Sequence, residues 1–265
     1  MHNAALKACG LDMEYVRIHL RPPELEEGIG LLSRIGFAGV NLTIPHKTEI
    51  IPLLDSIDPN AEILGAVNTV RFENGKSRGY NTDGPGLVRA VMASFGARLG
   101  ELRVMILGAG GGAGRAAAIQ CAIEGCTEIT LVNRTESKAR ALADSLRELT
   151  KKKSVTHVRV VTDSSESLVH ALADVDIILQ CSALGMKEGD ASALPKQAIE
   201  SRHFVYDTIY SRHTQLIKDA GEKGARCADG LNMLLHQGAL AFEIWLERTA
   251  PVEVMSAALK AAIGR

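Results

Sequence analysis

Three short segments in the first third of the chain place chemically capable side chains next to strand and turn signals. Lys47 closes a polar run after a short apolar segment, Asn68 follows the small residues of a turn, and Asp83 lies in a run of Asn, Thr and Gly. Ligands of α/β proteins bind at the carboxyl ends of strands, so we expect these side chains to converge. Polar side chains that converge in this way could bind a ligand. Each also suits a structural role: Asp83 as a helix N-cap, Lys47 as a surface charge and Asn68 as a turn former.

A glycine-rich turn forms a second candidate site. Gly108, Gly110 and Ala113 match the pattern G-x-G-x-x-A between an apolar strand, Arg103–Leu107, and a predicted helix. Gly108 permits the tight turn, Gly110 lets a pyrophosphate approach, and Ala113 is predicted to allow close packing of helix on strand. The neighbouring Gly111 and Gly112 would offer backbone N–H groups of the helix start to phosphates. This context predicts a dinucleotide site.

The end of the next strand indicates which dinucleotide binds. Asn133 stands 20 residues after Ala113, where an NAD site usually has Asp or Glu for the ribose hydroxyl. Arg134, Thr135 and Lys138 follow. An arginine pairs well with a 2′-phosphate, which an acid would repel. The sequence therefore favours NADP, although Arg134 and Lys138 also suit a plain exposed helix start.

Alternating elements predict an α/β fold with two domains. From Asp83 onward, apolar strands alternate with helices, which is typical of a parallel sheet of the Rossmann type. We expect this NADP domain to span residues 83–231. An N-terminal α/β substrate domain, 1–82, would be completed by C-terminal helices in 232–265, because Leu231–Leu246 is apolar on nearly every face. Within residues 1–82 we predict a strand at Glu14–Leu20, a helix from Pro22, and a hairpin around Asn74-Gly75.

Composition and net charge argue against several classes of function. The 265 residues are 46% hydrophobic and carry a net charge of -1, which gives no electrostatic case for nucleic acid or an anionic membrane. No apolar run approaches the roughly 18–20 residues that cross a bilayer. Five scattered cysteines without CxxC spacing predict neither disulfides nor a zinc site and favour the reducing environment of the cytoplasm. The run from Lys151 to Ser154 is predicted to be an exposed turn.

Several motifs together resemble the shikimate dehydrogenase family over nearly the whole chain. They are NLTIPHK (41–47), GAVNTV (65–70), GYNTDGPG (79–86), GAGGGAGRA (108–116), VNRTESKA (132–139), YDTIY (206–210) and GLNMLLHQGALAFEIW (230–245). The resemblance implies NADP-linked, reversible reduction of 3-dehydroshikimate to shikimate. It makes Lys47 and Asp83 the catalytic pair and implies three further sets of ligand contacts. These are substrate contacts at Thr43, Asn68, Tyr210 and Gln237, nicotinamide contacts at Gly230 and Met233, and 2′-phosphate contacts at Asn133, Arg134, Thr135 and Lys138.

The chain also departs from this family pattern. Members usually carry a strand and a G-x-P-x-x-H-S-x-S-P segment before the equivalent of Met1–Ala5, so we expect the first strand and two carboxylate-binding serines to be lacking. Arg212 replaces a frequent Pro, and Asn232 replaces the usual Gly near the nicotinamide. Three alternatives remain: a quinate/shikimate dehydrogenase of relaxed specificity, a non-catalytic nucleotide-binding homologue, and an S-adenosylmethionine methyltransferase. We expect a monomer or homodimer with a small-molecule substrate.

Overall fold

The structure is a computed structural model that describes residues 1–151 and 156–264. These residues form two compact units: Met1–Gly86 together with the chain from Leu234 onward, and Leu87–Met233. Lys152, Lys153 and Ser154 of the predicted exposed turn lie outside the described residues. Within those two ranges, no helix is both long enough and apolar enough to cross a membrane.

The first unit contains a mixed four-stranded sheet in the order β1-β3-β4-β2. Its strands are β1 (Gly39–Asn41), β2 (Ser56–Ile57), β3 (Thr69–Glu73) and β4 (Lys76–Tyr80). β3 runs antiparallel to β1 and β4, whereas β2 is parallel to β4. Asn74 and Gly75 join β3 to β4 with φ angles of 52° and 74°. Such positive values suit a two-residue Asn-Gly turn, and the predicted hairpin is confirmed.

Short helices precede or connect these strands. They are α1 (His2–Ala8), α2 (Leu25–Arg34), α3 (His46–Glu49) and α4 (Pro59–Leu64). The helix predicted from Pro22 begins as a 3-10 turn, Pro22–Glu24, before α2. Proline suits this position because a helix start leaves its N–H unbonded in any case. Leu25 and Ile29 of α2 pack into an apolar cluster with Ile50, Ala61, Val67 and Val70.

The strand predicted at Glu14–Leu20 is wrong for this structure. The segment has no regular secondary structure and forms no ladder with any strand in the described residues. Side chains bind its two ends instead. The Asn3 amide accepts the N–H of Tyr15 at 2.7 Å and donates to the Tyr15 carbonyl at 3.0 Å, while Nε2 of His46 lies 2.9 Å from the Leu20 carbonyl oxygen. Alternating apolar residues therefore do not by themselves supply the neighbour that a strand needs.

The second unit is built on a six-stranded parallel sheet in the order β10-β9-β8-β5-β6-β7. Its strands are β5 (Arg103–Leu107), β6 (Glu128–Val132), β7 (His157–Val161), β8 (Ile177–Gln180), β9 (Phe204–Asp207) and β10 (Arg226–Asp229). The helices that lie mostly or wholly in this unit are α5 (Asp83–Phe95), whose first turn belongs to the first unit, and α6 (Gly112–Glu124), α7 (Glu136–Thr150), α8 (Ser165–Leu172) and α9 (Gln215–Glu222). The chain starts at the centre with β5, winds outward to β7, returns to β8 and winds out to β10. This order confirms the predicted Rossmann-type, doubly wound fold.

Two C-terminal helices, α10 (Leu231–Leu246) and α11 (Val252–Ala262), end the chain. Every residue of α10 is buried or half-buried, as its apolar sequence predicts. Its Leu235, Ala239 and Phe242 pack with Ala5 and Leu6 of α1 and with Met255 of α11. The C-terminal helices thus complete the core of the N-terminal α/β unit, as the predicted fold class requires.

Candidate active site

The first unit contains an ion pair between Lys47 and Asp83. Lys47 Nζ donates a hydrogen bond to Asp83 Oδ2 at 2.7 Å, and the side chains are 29% and 23% exposed. Because the pair is only half-buried, a small molecule can reach both groups. Such a pair can exchange a proton with a ligand oxygen, and the ammonium group can stabilise negative charge developing on that oxygen.

Asp83 is the first residue of α5, where the partial positive charge of the helix start favours a carboxylate. Asn81, not Asp83, caps this helix. Asn81 Oδ1 accepts the N–H groups of Asp83 at 3.0 Å and Gly84 at 3.2 Å. The Asp83 carboxylate is therefore left for Lys47.

The side chain of Asn68, in the same unit, is bonded mainly to the protein. It is 3% exposed, and its Oδ1 accepts the N–H of Thr82 at 2.8 Å and the hydroxyl of Thr69 at 3.0 Å. Its Nδ2 donates to Thr82 Oγ1 at 3.0 Å. An amide nitrogen carries two hydrogens, so one remains for a ligand.

Thr43 and Gln237 also belong to the first unit. Thr43 is exposed in the segment between β1 and α3. Gln237 lies half-buried in α10, and its Nε2 donates to the Leu234 carbonyl at 3.0 Å. Gly86 packs against Gln237 so closely that an added Cβ would lie 2.9 Å from the Gln237 backbone nitrogen. The start of α5 and the middle of α10 are thus in direct contact.

The glycine-rich turn follows β5 in the second unit. Gly108 has a φ of +79°, and an added Cβ would lie 2.7 Å from the Ser182 backbone, so glycine is required for both reasons. An added Cβ at Gly110 would lie 2.7 Å from Lys138 Cβ. Gly111 is the N-cap of α6 and supplies no side-chain cap. The first N–H groups of α6, at Gly112 and Ala113, are therefore available to an anion such as a pyrophosphate.

The structure corrects the packing role predicted for Ala113. Ala113 is exposed, whereas Gly114 is buried. A Cβ on Gly114 would lie 2.3 Å from the Gly108 carbonyl oxygen and 2.8 Å from Ala109 Cα. Close approach of α6 to the turn thus requires glycine at position 114. The fingerprint spacing pointed to 113 because it does not say on which residue the helix begins.

Four residues near the end of β6 were predicted to hold a 2′-phosphate. Asn133 Oδ1 accepts the Gly110 N–H at 3.1 Å, and its Nδ2 donates to the Thr135 carbonyl at 2.8 Å. Asn133 thus links the glycine-rich turn to the start of α7. Arg134, Thr135 and Lys138 are exposed around this link. Two cations beside free helix N–H groups suit a nucleotide with an extra phosphate.

The residues predicted to border a nicotinamide lie where β10 leads into α10. Gly230 is buried, and an added Cβ would lie 2.1 Å from the Thr208 carbonyl oxygen. The Met233 N–H donates to the Tyr206 hydroxyl at 3.0 Å. Tyr206 is fully buried, and burial raises its pKa, so its hydroxyl keeps its proton. Tyr210, four residues further on, is 41% exposed.

Burial raises the pKa of two other titratable groups of the second unit, Cys181 and Asp207. Burial, with a smaller effect of the nearby Asp207 charge, raises the pKa of Cys181 to about 12. Cys181 is therefore a thiol at neutral pH and a poor nucleophile. Burial also raises the pKa of Asp207, which accepts the Thr214 hydroxyl at 2.6 Å. Among residues 1–151 and 156–264, no cluster of His, Cys, Asp and Glu could hold a metal ion.

Family models match three parts of the chain. Residues 1–70 match the shikimate dehydrogenase substrate binding domain, residues 90–195 match shikimate / quinate 5-dehydrogenase, and residues 230–260 match the shikimate 5′-dehydrogenase C-terminal domain. The shikimate dehydrogenase (NADP(+)) of Desulforamulus reducens is 39% identical over 259 residues, which is 96% of this chain and 87% of that protein. The chain belongs to the shikimate dehydrogenase family.

Solved structures of the family have the same fold. A shikimate dehydrogenase in complex with NADP+ superposes with a TM-score of 0.88 at 37% identity, covering 100% of this chain and 90% of that one. The shikimate 5-dehydrogenase from Listeria monocytogenes, in complex with shikimate and NAD, also gives a TM-score of 0.88, at 33% identity. That match covers 97% of this chain and 90% of the Listeria chain.

One departure from the family pattern is accommodated without backbone strain. Asn232 lies in the first turn of α10 and has no positive φ. Its Nδ2 donates to Ser94 Oγ at 2.9 Å. The side chain therefore bonds to the protein, and glycine is not needed for the backbone at this position.

The sequence reasoning missed three residues that shape these sites: Asn81, Tyr206 and Gly114. Asn81 carried a readable signal, because an Asn two residues before a predicted helix is a favoured cap. Tyr206 gave no local signal, since its hydroxyl meets Met233, which is 27 residues away. Gly114 was hidden by a run of glycines with several possible spacings.

Proposed function

We propose that this member of the shikimate dehydrogenase family catalyses the NADP-linked, reversible reduction of 3-dehydroshikimate to shikimate. The observation that carries the proposal is the half-exposed Lys47–Asp83 ion pair. It places a donor and an acceptor of protons side by side in a unit whose sequence matches a substrate-binding domain. The same geometry argues against a non-catalytic homologue, since a protein that only binds nucleotide has no use for this pair.

Reduction of a ketone adds a hydride to carbon and a proton to oxygen. NADPH supplies the hydride when it is bound. We assign the proton to the Lys47–Asp83 pair as a unit, because a hydrogen bond of 2.7 Å joins the two groups. Lys47 also orients the substrate oxygen and stabilises the alkoxide that develops on it. In the reverse direction the pair receives the proton of the shikimate hydroxyl.

Four other residues are assigned to contacts with the substrate. Asn68 has one free amide hydrogen for a substrate hydroxyl, and its fixed position favours a directed bond. Gln237 of α10 belongs to the same unit and lies beside Gly86, near the start of α5. Thr43 and Tyr210 offer exposed hydroxyl groups, which are free to bind a polyhydroxy acid.

For the nucleotide, we assign the pyrophosphate to the turn and helix start and the 2′-phosphate to the residues after β6. Gly108 and Gly110 keep side chains out of the turn, and Gly112 and Ala113 present backbone N–H groups. The N–H predicted for this role at Gly111 instead donates to the Gly108 carbonyl at 3.0 Å. Arg134 and Lys138 supply charge, while Asn133 and Thr135 shape the pocket floor. Gly230 and Met233 border the nicotinamide.

We also propose that the protein is cytoplasmic and that it is a monomer or a homodimer. We propose no nucleic-acid or membrane partner. The five cysteines are all free, which suits a reducing compartment. Light scattering should give a mass of 28.3 kDa or twice that value.

The deciding experiment measures shikimate-dependent reduction of NADP by nicotinamide absorbance, with quinate and NAD as alternative substrates. We expect turnover with shikimate and NADP. In Lys47→Ala, kcat should fall by roughly 10²–10⁴-fold, the usual range for loss of acid–base catalysis, with an unchanged Kd for NADPH. Full activity of that variant would remove Lys47 from the mechanism.

Two results would favour the alternatives. Equal kcat/KM for quinate and shikimate would indicate the enzyme of relaxed specificity. A wild-type chain that binds NADPH and shikimate without turnover would be a non-catalytic homologue.

A further inference from the structure

We propose that Asn81 is a positioning residue that fixes Asp83 opposite Lys47 through a single peptide group of the loop between α4 and β3. The importance of this arrangement for catalysis rests on the proposed function, while the arrangement itself stands on contacts within the first unit. Asn81 is 6% exposed, so its amide cannot bond to bulk solvent.

The side chain of Asn81 makes three hydrogen bonds to backbone groups of the same unit. Its Oδ1 accepts the N–H groups of Asp83 at 3.0 Å and Gly84 at 3.2 Å. Its Nδ2 donates to the Ala66 carbonyl at 3.0 Å. An ordinary helix cap needs only the first kind of bond. The additional bond to Ala66 joins the helix start to a separate loop.

The same loop holds Lys47 from the other side. The Val67 N–H donates to the Lys47 carbonyl oxygen at 2.8 Å. The Ala66 carbonyl and the Val67 N–H are the two ends of one peptide group, which is planar and rigid. One rigid unit therefore receives the Asn81 amide on one side and bonds the Lys47 backbone on the other. The hydrogen bonds at its two ends also polarise each other and so strengthen both.

A second hydrogen bond holds the chain beside Asp83, so the loss of Asn81 should have only a partial effect on the position of Asp83. Asn68 Oδ1 accepts the Thr82 N–H at 2.8 Å, so the chain next to Asp83 keeps one anchor when Asn81 is changed. Loss of Asn81 should therefore displace the Asp83 carboxylate without releasing the whole segment. Displacement of a reacting group by about 1 Å costs on the order of 10²-fold in rate.

The experiment compares three variants. Asn81→Ala removes the cap and the bond to Ala66, while Asn81→Asp keeps the accepting oxygen but replaces the donor by a second oxygen and adds a negative charge. Asp58→Ala is the matched control, because Asp58 caps α4 in the same unit by accepting the Asn60 N–H at 3.0 Å and does not contact the ion pair.

We expect Asn81→Ala to lower kcat for shikimate oxidation by roughly 10–100-fold, with the KM for NADP within a factor of two. Asp58→Ala should lose comparable thermal stability and retain kcat within a factor of two. Asn81→Asp should also lose activity, because the link to Ala66 is broken. Wild-type kcat in Asn81→Ala, or an equal loss of kcat in the Asp58 control, would overturn the proposal. If Asn81→Ala does not fold, Asn81→Asp decides by the same criteria.

A spectroscopic readout separates this inference from the proposed function. Nitrogen-15 NMR of the lysine side chains reports the Lys47 ammonium group, whose signal is assigned by its loss in Lys47→Arg. We expect this signal to shift or disappear in Asn81→Ala and to stay unchanged in Asp58→Ala. If the wild-type chain lacks dehydrogenase activity, the proposed function fails, and the ammonium signal alone decides whether Asn81 positions the pair. An unchanged signal in Asn81→Ala would contradict the positioning role.

Discussion

We propose that the nucleotide is selected by Asn133, Arg134 and Lys138 together. Both ends of the Asn133 amide are bonded within the protein, to Gly110 and Thr135. Arg134 and Lys138 are exposed, and neither side chain has a hydrogen-bond or ion-pair partner in the described part of the chain. In this proposal the positive charge for a 2′-phosphate comes from Arg134 and Lys138, while Asn133 holds the glycine-rich turn in place.

The consequence is a selective loss of NADP binding in Arg134→Ala. A charged hydrogen bond contributes about 1.5–3 kcal/mol, so the Kd for NADP should rise by roughly 10–100-fold and the Kd for NAD should hardly change. Nucleotide titration followed by fluorescence measures both constants. Arg140→Ala is the control, because Arg140 lies on the same helix and pairs with Glu136. An equal rise in the Kd for NADP and in the Kd for NAD in Arg134→Ala would disprove the contact between Arg134 and the 2′-phosphate.

The family resemblance predicted the proposed catalytic pair, but not the bonds of the residues around it. Polar groups that follow strands could be expected to converge, and the structure brings Lys47 and Asp83 to 2.7 Å. The bonds of Asn68 to Thr69 and Thr82 could not be foreseen, because an amide gives no sign of which partners it will find across a hairpin.

At the scale of elements, the first turn of α6 requires glycine at position 114 but not at position 112. A Cβ at position 114 would meet the Gly108 carbonyl oxygen at 2.3 Å, whereas a Cβ at position 112 meets no atom within 4 Å. Gly114→Ala should therefore push α6 from the turn and lower the free energy of unfolding by about 1–3 kcal/mol, the usual cost of overpacking. Gly112→Ala should be neutral or stabilising by up to about 1 kcal/mol, because alanine favours a helix.

Thermal unfolding of the two nucleotide-free variants is the required measurement. The comparison is matched because both substitutions add one methyl group within the first turn of α6. A Tm for Gly114→Ala equal to that of Gly112→Ala would show that the helix start can move at no cost.

Periodicity predicted most elements but not their pairing. The six parallel strands follow from apolar runs between helices, since such strands are buried on both faces. The segment Glu14–Leu20 has the same strand-like pattern, yet pairs with no strand in the described residues. A pattern of side chains records which face is apolar, and pairing depends on a neighbour that the local sequence does not specify.

At the scale of the whole molecule, stability in acid should depend on one buried histidine of the first unit. His2 is 6% exposed and stacks on Tyr15 with ring centroids 4.3 Å apart. Its Nδ1 is buried without a hydrogen-bond partner. Burial lowers the pKa of His2 from 6.5 to about 4, because the cation would lose its hydration there.

The sign of the effect follows from this lowered pKa. The unfolded chain takes up a proton on His2 near pH 6.5, whereas the folded protein does so only near pH 4. The stabilisation from a neutral His2 is therefore complete above about pH 6.5 and is lost as the pH falls toward 4, by about 3 kcal/mol in total. Asp55, whose pKa is lowered by hydrogen bonds from Ser77, also loses stabilisation as it is protonated in acid. A comparison of variants is therefore needed to isolate His2.

His2→Gln should flatten the acid dependence of the first unit. Between pH 7 and pH 4 the variant should lose about 3 kcal/mol less of its free energy of unfolding than the wild type. Urea unfolding followed by tryptophan fluorescence suits this test, because Trp245 is the single tryptophan and its ring centroid lies 5.6 Å from that of His2. His213→Gln, a change at an exposed histidine, should keep the wild-type acid dependence. Parallel curves for His2→Gln and the wild type would mean that His2 is hydrated in the folded protein, so that burial does not control its protonation.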